Sequence, residues 1–333
     1  MQEQKPLLEV KNLRTYFYTR KGVVPAVDGV DFQIKPGEIL GIVGESGCGK
    51  SVTSLSILNL LIDYAKIEEG SEINFEGKNL AEFSKKEMCQ VRGKDIAMIF
   101  QDPMTSLNPV MTIEKQLMET VQAHQNVSKA EAKKLALEMM IKVGIPSPEK
   151  RLKEYPHQLS GGMKQRVMIA MALMCNPKLL IADEPTTALD VTIQAQILKL
   201  MRDLRDETGS AIMLITHDMG VVASMADAIM IMYAGRVVEY GSAQEVFANP
   251  KHPYTRGLLK SIPRLDERVD TLFTIEGTVP NQYDMPAGCK FWPRCPYATE
   301  TCKAEEPALE KYGDCQVRCW NYDGKTLKEE SEA

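Results

Sequence analysis

The stretch with the clearest chemistry is Gly44-Glu45-Ser46-Gly47-Cys48-Gly49-Lys50-Ser51, which has the spacing G-x-x-x-x-G-K-[ST] of a phosphate-binding loop. Glycines in such a loop let successive backbone N–H groups turn toward the phosphates of a nucleotide. Lys50 can reach the β- and γ-phosphates, and the Ser51 hydroxyl can hold Mg²⁺. The loop therefore predicts a site for a nucleoside triphosphate and Mg²⁺, and Cys48 is interpreted as a small residue that fits.

The elements on both sides of the loop support this prediction. Residues 38–43 form a short apolar strand, and residues 52–61 have helical periodicity. A loop between them places its amides at the positive end of the helix. The alternative is a glycine-rich turn that carries Lys-Ser by chance, and it explains neither flank.

Three further apolar runs end in polar side chains that could act on a bound nucleotide. The runs are 95–100 before Gln101, 178–182 before Asp183 and Glu184, and 211–216 before His217. Such runs suit parallel strands that are buried on both faces, and ligands bind beyond the carboxyl ends of these strands. We therefore expect all four side chains at the nucleotide site, although a lone histidine is more often structural.

A second anion site is predicted at Leu159-Ser160-Gly161-Gly162, which precedes an apolar helix at 167–175. Ser160 is suited to cap that helix. The paired glycines expose backbone N–H groups at its positive end.

The remaining pattern predicts an α/β fold with a parallel sheet, an antiparallel β lobe and a helical subdomain. Alternating residues predict antiparallel strands at 8–13, 30–34 and 71–75. Helical spacing at 113–124 and 128–143, the second capped by Ser128, predicts a helical subdomain over about 104–175.

An aromatic patch lies between the first two predicted strands. Phe17, with Tyr16 and Tyr18 beside it, is a candidate for stacking on adenine. Ordinary packing within a strand explains the same pattern, and the sequence leaves both interpretations open.

Composition and charge narrow the possible functions. The 333 residues are 44% apolar and 26% charged, as in ordinary globular proteins, and the formal charge of −5 argues against a nucleic-acid partner held by a basic surface. No apolar run reaches the ~18 residues that cross a bilayer, and residues 1–10 lack a signal-peptide core. We expect a cytoplasmic chain unless a partner holds it at a membrane.

Five of the eight cysteines lie between Cys289 and Cys319. In a cytosolic protein, clustered thiols more often bind metal than form disulfides. The spacing alone indicates a thiolate metal site, for which zinc is the usual first candidate.

The motifs together resemble the nucleotide-binding subunit of ABC transporters. The family's order is present within residues 1–245 and runs from the phosphate-binding loop through Gln101, Leu159-Ser160-Gly161-Gly162, Asp183-Glu184 and Ala188-Leu189-Asp190 to His217. Met163 stands where many members carry glutamine, a departure that resembles the peptide-importer branch. The combination is highly specific, whereas a phosphate-binding loop alone also occurs in kinases and GTPases.

This resemblance implies a role for each motif. The nucleotide contacts extend from Gly44 to Val52 and include Phe17, Gln101 and Asp183, and the implied Mg²⁺ ligands are Ser51, Gln101 and Asp183. Glu184 activates the attacking water, and His217 contacts the γ-phosphate. Ser160, Gly161 and Gly162 complete the site of a second subunit, with Asp190 at the interface, so that two chains enclose two ATP molecules.

The C-terminal part is similar to that of the dipeptide, oligopeptide and nickel permease ATPases. Residues 249–263 resemble their C-terminal extension, and the cysteines resemble those of D-type subunits, whose extension carries a 4Fe-4S cluster. The implied cluster ligands are Cys289, Cys295, Cys302 and Cys319, with Cys315 as a non-ligand. The implied domains are an ABC ATPase domain, 1–245, and an extension, 246–333.

The resemblance also implies function and partners. The chain would hydrolyse ATP to power import of di- or oligopeptides at the cytoplasmic face of the membrane. Its partners would be two permease subunits, a second ATPase that is identical or a sister chain, and an extracytoplasmic peptide-binding protein. Alternatives are import of another solute such as nickel, and a non-transport ABC ATPase of DNA repair or translation. The short interval between Gln101 and Ser160 weighs against the role in DNA repair. The single phosphate-binding loop weighs against the role in translation.

The resemblance also implies that a cytoplasmic helix of the permease docks at residues 104–125. Met104, Leu107, Met111 and Leu117 could furnish an apolar surface there. The alternative is that these four residues fill the core of the helical subdomain.

Overall fold

The computed structural model describes residues 5–102, 106–187, 189–262 and 273–322. In chain order, its strands are β1 (Leu8–Thr19), β2 (Gly22–Ile34), β3 (Ile39–Val43), β4 (Ala65–Ile67), β5 (Glu72–Phe75), β6 (Lys78–Asn79), β7 (Ile96–Ile99), β8 (Leu179–Asp183), β9 (Ala211–Thr216), β10 (Ala228–Tyr233), β11 (Arg236–Ser242), β12 (Glu310–Tyr312) and β13 (Cys315–Val317). Its α-helices are α1 (Lys50–Ile57), α2 (Lys85–Val91), α3 (Ile113–Gln122), α4 (Lys129–Lys142), α5 (Pro148–Leu152), α6 (Gly161–Leu173), α7 (Val191–Thr208), α8 (Met219–Met225), α9 (Ala243–Ala248), α10 (Pro253–Lys260) and α11 (Glu300–Ala304).

The chain forms two compact units. The first comprises residues 1–34, 38–81 and 216–333, and the second comprises 35–37 and 82–215. In the described ranges, no helix combines the length and apolar character that a membrane span requires. The predicted boundary between residues 245 and 246 stays a prediction.

An antiparallel sheet occupies the N-terminal part of the first unit. Its strand order is β2-β1-β5-β6, and β4 also pairs with β1. The predicted strands at 8–13, 30–34 and 71–75 are confirmed. The hairpin of β1 and β2 continues through the aromatic patch, because Phe17 and Tyr18 pair with Val24 and Val23, and aromatic and β-branched residues favour a pleated sheet.

The strand before the phosphate-binding loop, β3, is also in this unit and is buried along its whole length. It pairs in parallel with β10, and β10 pairs antiparallel with β11. The cysteine-rich segment adds β13 and β12 to the other edge of β11. The loop and the cysteine-rich segment therefore belong to one unit.

The second unit contains three parallel strands in the order β7-β8-β9. Every residue of β8 and β9 is buried, which agrees with the continuous apolar runs of the sequence. The helical subdomain contains α3 and α4 as predicted, and the Ser128 hydroxyl caps α4 by accepting the Glu131 N–H at 3.2 Å.

The predicted docking surface needs a correction. Leu107 and Leu117 are 2% and 0% exposed, because they fill the core of the helical subdomain. Met111 is half-buried, and the neighbouring Val110 is 80% exposed. Met104 lies outside the described residues. The two leucines are therefore wrong as docking residues, whereas Val110 presents an exposed apolar side chain in the described part of this stretch.

Candidate nucleotide site and cysteine-rich segment

The phosphate-binding loop connects β3 to α1, as the sequence predicts. Gly49 precedes α1 with a φ of 104°, and a Cβ there would lie 2.4 Å from the Ala26 carbonyl oxygen. A Cβ on Gly44 would lie 2.2 Å from the Met232 carbonyl oxygen. Close backbone neighbours therefore require glycine near both ends of the loop.

Lys50 is buried, and its ammonium group lies across the loop. Its Nζ donates to the carbonyl oxygens of Gly44 at 2.7 Å and Glu45 at 3.0 Å. Burial raises the pKa of the Cys48 thiol, so Cys48 packs as a small neutral residue. Ser46 and Gly47 are the exposed residues of the loop. The loop is thus compact, with its outer face open to solvent.

The two predicted carboxylates follow β8 directly. Asp183 is the last residue of β8 and is 5% exposed. Glu184 has a φ of 46°, a left-handed conformation that is uncommon for a residue with a side chain. Its N–H donates to the Ile215 carbonyl oxygen at 2.9 Å, which helps to hold this backbone. Such local strain is concentrated at functional sites, so the conformation fits the predicted role of Glu184.

Two side chains orient the Glu184 carboxylate. Its Oε2 accepts hydrogen bonds from Gln101 Nε2 at 2.7 Å and from Thr187 Oγ1 at 2.9 Å. The structure therefore brings together Gln101 and Glu184, which are 83 positions apart in the chain. Thr187 was not predicted, although a hydroxyl three residues after a candidate base is a usable signal.

His217 follows β9 immediately and is exposed. The next residue, Asp218, caps α8 by accepting the N–H groups of Gly220 at 2.8 Å and Val221 at 3.2 Å. In the chain, His217 therefore lies between a buried strand, β9, and a capped helix, α8.

The three candidate aromatic residues differ in their contacts. Tyr16 Oη donates to Asp28 Oδ1 at 2.6 Å, and Tyr18 Oη donates to Glu68 Oε1 at 2.8 Å. The Phe17 ring lies 5.9 Å from the ring of Tyr64. Phe17 thus has a packing partner within the sheet, and its stacking on adenine stays a prediction.

The second predicted anion site lies at the start of α6. Ser160 Oγ accepts the Met163 N–H at 3.4 Å, which confirms the cap. The helix starts at Gly161, earlier than the predicted apolar segment, because the cap lets it begin directly after Ser160. Gln165 Nε2 donates to the Pro185 carbonyl oxygen at 2.6 Å, which ties α6 to the residue after Glu184.

Ser160, Gly161 and Gly162 share one groove with Asp190. The groove has a volume of about 560 Å³. Asp190 caps α7 by accepting the Ile193 N–H at 2.9 Å, and Ile193 packs beside Gly162. Ala188, in the same predicted motif as Asp190, lies outside the described residues.

Among the four predicted cluster cysteines, a backbone hydrogen bond joins Cys289 to Cys302. The Cys289 N–H donates to the Cys302 carbonyl oxygen at 2.8 Å. Cys319 and Tyr297 each pack against the buried pair Val317 and Tyr322, and Asn321 donates to the Tyr297 carbonyl oxygen. All eight cysteines lie in the described ranges as free thiols, so the structure contains no disulfide between them.

The fifth cysteine, Cys315, differs from these four in position, because it lies in β13 with its Sγ against Gly241 of β11. Burial, with a smaller effect of the nearby Cys302 and Cys319 thiols, raises the pKa of Cys289 to about 11 and that of Cys295 to about 12. Burial also raises the pKa of Cys315, but its charged neighbours are Lys251, Glu239 and Glu245. Over the described part of the chain, no group of three or more His, Cys, Asp or Glu side chains is placed so that it could hold a metal ion.

Three residues that the sequence did not predict contact the phosphate-binding loop. Tyr254 Oη accepts the Glu45 N–H at 2.9 Å, Arg294 Nη1 donates to the Glu45 carboxylate, and Gln282 Nε2 donates to the Gly47 carbonyl oxygen at 3.2 Å. They follow the loop by more than 200 positions, and only the acidic Glu45 in an anion-binding loop signals a need for a nearby cation.

Known proteins are similar to this chain over nearly its whole length. Residues 27–187 match a family model described as "ABC transporter", and residues 238–302 match one described as "Oligopeptide/dipeptide transporter, C-terminal region". The chain is 53% identical to the oligopeptide transport ATP-binding protein AppD of Bacillus subtilis, over 95% of this chain and 97% of the relative. It is 51% identical to the dipeptide transport ATP-binding protein DppD of Haemophilus influenzae, over 94% of each chain.

The fold of this chain is also similar to that of a solved ATP-binding cassette. This ATP-binding cassette, in a dimeric post-hydrolysis state bound to ADP and Pi, has a TM-score of 0.65 and 28% sequence identity. The match covers 71% of this chain and 98% of the cassette.

Proposed function

The chain belongs to the ATP-binding subunits of oligopeptide and dipeptide ABC transporters, and we propose that it hydrolyses ATP to power the import of di- or oligopeptides. The observation that carries this proposal is the oriented carboxylate of Glu184, directly after Asp183 and hydrogen-bonded to Gln101. The peptide-transport relatives match this chain over almost its full length at about half identity, which supports peptide as the cargo.

Phosphoryl transfer depends mainly on positioning and on neutralisation of charge. Lys50 and the loop amides hold the β- and γ-phosphates. The Ser51 hydroxyl and the Asp183 carboxylate, with Gln101, are oxygen donors of the type that Mg²⁺ prefers, and the ion supplies further charge neutralisation when bound. Glu184 polarises the attacking water, and His217 contacts the γ-phosphate.

The active form in this proposal contains two ATPase chains, two membrane permease subunits and an extracytoplasmic binding protein, with the ATPases peripheral to the cytoplasmic face of the membrane. Ser160, Gly161 and Gly162 bind the partner's ATP, and Asp190 lies at that interface. The groove that these residues share, at the start of a capped helix, supports this assignment, because helix N-termini favour anions.

Uptake by intact cells tests the cargo. A strain that lacks this chain should lose uptake of radiolabelled peptide and regain it with the wild-type chain, but not with Lys50→Ala. Nickel uptake is measured in parallel. If the strain that lacks the chain keeps peptide uptake and loses nickel uptake, the chain powers nickel import instead.

For the cysteine-rich segment, we propose that Cys289, Cys295, Cys302 and Cys319 hold a 4Fe-4S cluster. The backbone hydrogen bond between Cys289 and Cys302 and the separate position of Cys315, in β13 against Gly241, support this choice. The four thiols are not arranged around a single ion, but a four-iron cluster takes one thiolate on each iron. The proposed cluster orders the extension or senses redox state.

Iron content and colour test the cluster. Protein purified without oxygen should be brown and contain about four irons per chain, the content of a 4Fe-4S cluster. Cys319→Ser should abolish the colour, whereas Cys315→Ser, the matched control, should keep it. The reverse pattern would overturn the ligand set, and a colourless chain with one zinc would replace the cluster with a zinc site.

A further inference from the structure

The phosphate-binding loop contains an acid where it should receive an anion. Glu45 is the second residue of the loop, and its side chain is 29% exposed. A carboxylate near a triphosphate repels it, and the repulsion is stronger in a partly buried site than in water. The loop therefore needs a cation that compensates Glu45, in addition to Lys50.

Arg294 supplies this cation from the cysteine-rich segment. Its Nη1 lies 3.1 Å from Glu45 Oε1 and 2.9 Å from Oε2. The Arg294 side chain is only 5% exposed, so solvent screens the pair weakly. Removal of one partner from such a pair leaves an uncompensated charge in a poorly solvated place.

The guanidinium of Arg294 is held independently of Glu45. Nε donates to the Glu276 carbonyl oxygen at 3.0 Å, and Nη2 donates to the Ile275 carbonyl oxygen at 3.3 Å. It also lies 5.8 Å from the centre of the Tyr233 ring. Arg294 is therefore a fixed positive charge, not a surface side chain that happens to meet an acid.

Two further contacts join the C-terminal extension, residues 246–333, to the loop. The Glu45 N–H donates to Tyr254 Oη, and Gln282 Nε2 reaches the Gly47 carbonyl oxygen. The rings of Tyr254 and Phe291 pack together, with their centres 5.3 Å apart. The loop is thus held from outside by residues of the extension as well as by its own glycines.

We propose that Arg294 is a positioning residue of the ATP site, which neutralises Glu45 and so allows the loop to accept the triphosphate. The proposal rests on the proposed function, because it requires the loop to bind ATP. In this proposal the C-terminal extension is part of the nucleotide site. Arg294, which contacts the loop, directly precedes Cys295.

The test measures ATP affinity of the full-length chain and the ATPase KM and kcat of the assembled transporter. Arg294→Met should weaken ATP binding about tenfold, since an unpaired charged hydrogen-bonding group costs at least about 1.4 kcal/mol. The kcat at saturating ATP should change by less than about twofold, because the lost interaction acts on binding. Lys311→Met removes an exposed cation from the same extension and should have no effect.

A second-site substitution separates charge compensation from a merely structural role. Glu45→Gln removes the repulsive charge, so Arg294→Met combined with Glu45→Gln should restore ATP binding to within about threefold of wild type. Glu45→Gln alone should bind ATP more tightly than wild type, because the repulsion between its carboxylate and the triphosphate is removed. This single variant keeps the core intact and gives a result even if Arg294→Met fails to fold.

Two results would overturn the inference. One is a folded Arg294→Met chain with wild-type ATP affinity. The other is a Glu45→Gln chain that binds ATP more weakly than wild type, which would show that the ion pair matters only for structure. Failure of the wild-type chain to bind ATP would instead contradict the proposed function itself.

Discussion

At the scale of single residues, hydrolysis depends on one carboxylate. Glu184 accepts hydrogen bonds from Gln101 and Thr187, and Gln at this position would keep the shape but not the charge. We expect Glu184→Gln to retain ATP binding and to lose roughly 10²- to 10⁴-fold in turnover, the usual contribution of a general base. ATP should then trap a dimer.

Turnover of this variant is measured in the assembled complex, with Glu207→Gln as a control at an exposed carboxylate of α7. Near-normal ATPase activity of Glu184→Gln would remove Glu184 from the role of base.

The residues of the site differ in how well the sequence predicted them. Gln101 and Glu184 were expected to meet, because each follows a buried strand and parallel strands end at one edge. Arg294 and Tyr254 were missed, because long-range contacts of ordinary polar residues leave no periodic signal. The signal that could have pointed to Arg294 is Glu45, an acid in a loop that binds an anion.

At the scale of elements, a substitution at the start of α6 should separate ATP binding by this chain from ATP hydrolysis by the complex, because Ser160 is proposed to contact the partner's nucleotide. Ser160 and Gly161 are exposed, and a Cβ on Gly161 would meet no neighbouring atom within 4 Å. Ser160→Arg should fit without disturbing the core, but it should block approach of the partner's nucleotide. We expect ATP binding by the isolated chain to be kept and ATPase activity of the complex to fall by about 10²-fold or more.

Ser128→Arg is the matched control for this variant. Ser128 caps α4 as Ser160 caps α6, so loss of either cap should cost about 1 kcal/mol of stability. Only Ser160→Arg should abolish ATPase activity. Lost ATP binding in a folded Ser160→Arg chain would mean that this motif serves the nucleotide of its own chain.

The elements themselves were largely predictable where one pattern dominated. Uniform apolar runs identified β8 and β9, and the serine cap identified α4. The strands β10 and β11 were not predicted, because short apolar runs without alternation do not distinguish strand from helix. The hairpin of β1 and β2 was predicted only in part, since the sequence left its aromatic patch open between strand packing and a ligand contact.

At the scale of the whole molecule, the proposed assembly with permease subunits requires an exposed docking surface. Val110 is 80% exposed within the predicted docking stretch. We expect Val110→Glu to release the chain from the membrane fraction of cells that contain the permease, with ATP binding unchanged, because a charge in an apolar interface is costly.

Ile141→Glu is the control, since Ile141 is 58% exposed on α4 of the same subdomain. Equal membrane retention of wild type and Val110→Glu would place the docking surface elsewhere. Leu107 and Leu117 could not be excluded from the sequence, because the same apolar pattern serves a core or an interface.

The central claim is that this chain converts ATP hydrolysis into peptide import. The most direct measurement is the ATPase rate of the complete transporter in liposomes, with and without peptide-loaded binding protein. We expect peptide to raise the ATPase rate, labelled peptide to move across the bilayer in parallel, and Glu184→Gln to abolish both. An ATPase rate that is indifferent to peptide, with no peptide movement by a folded and assembled complex, would contradict it.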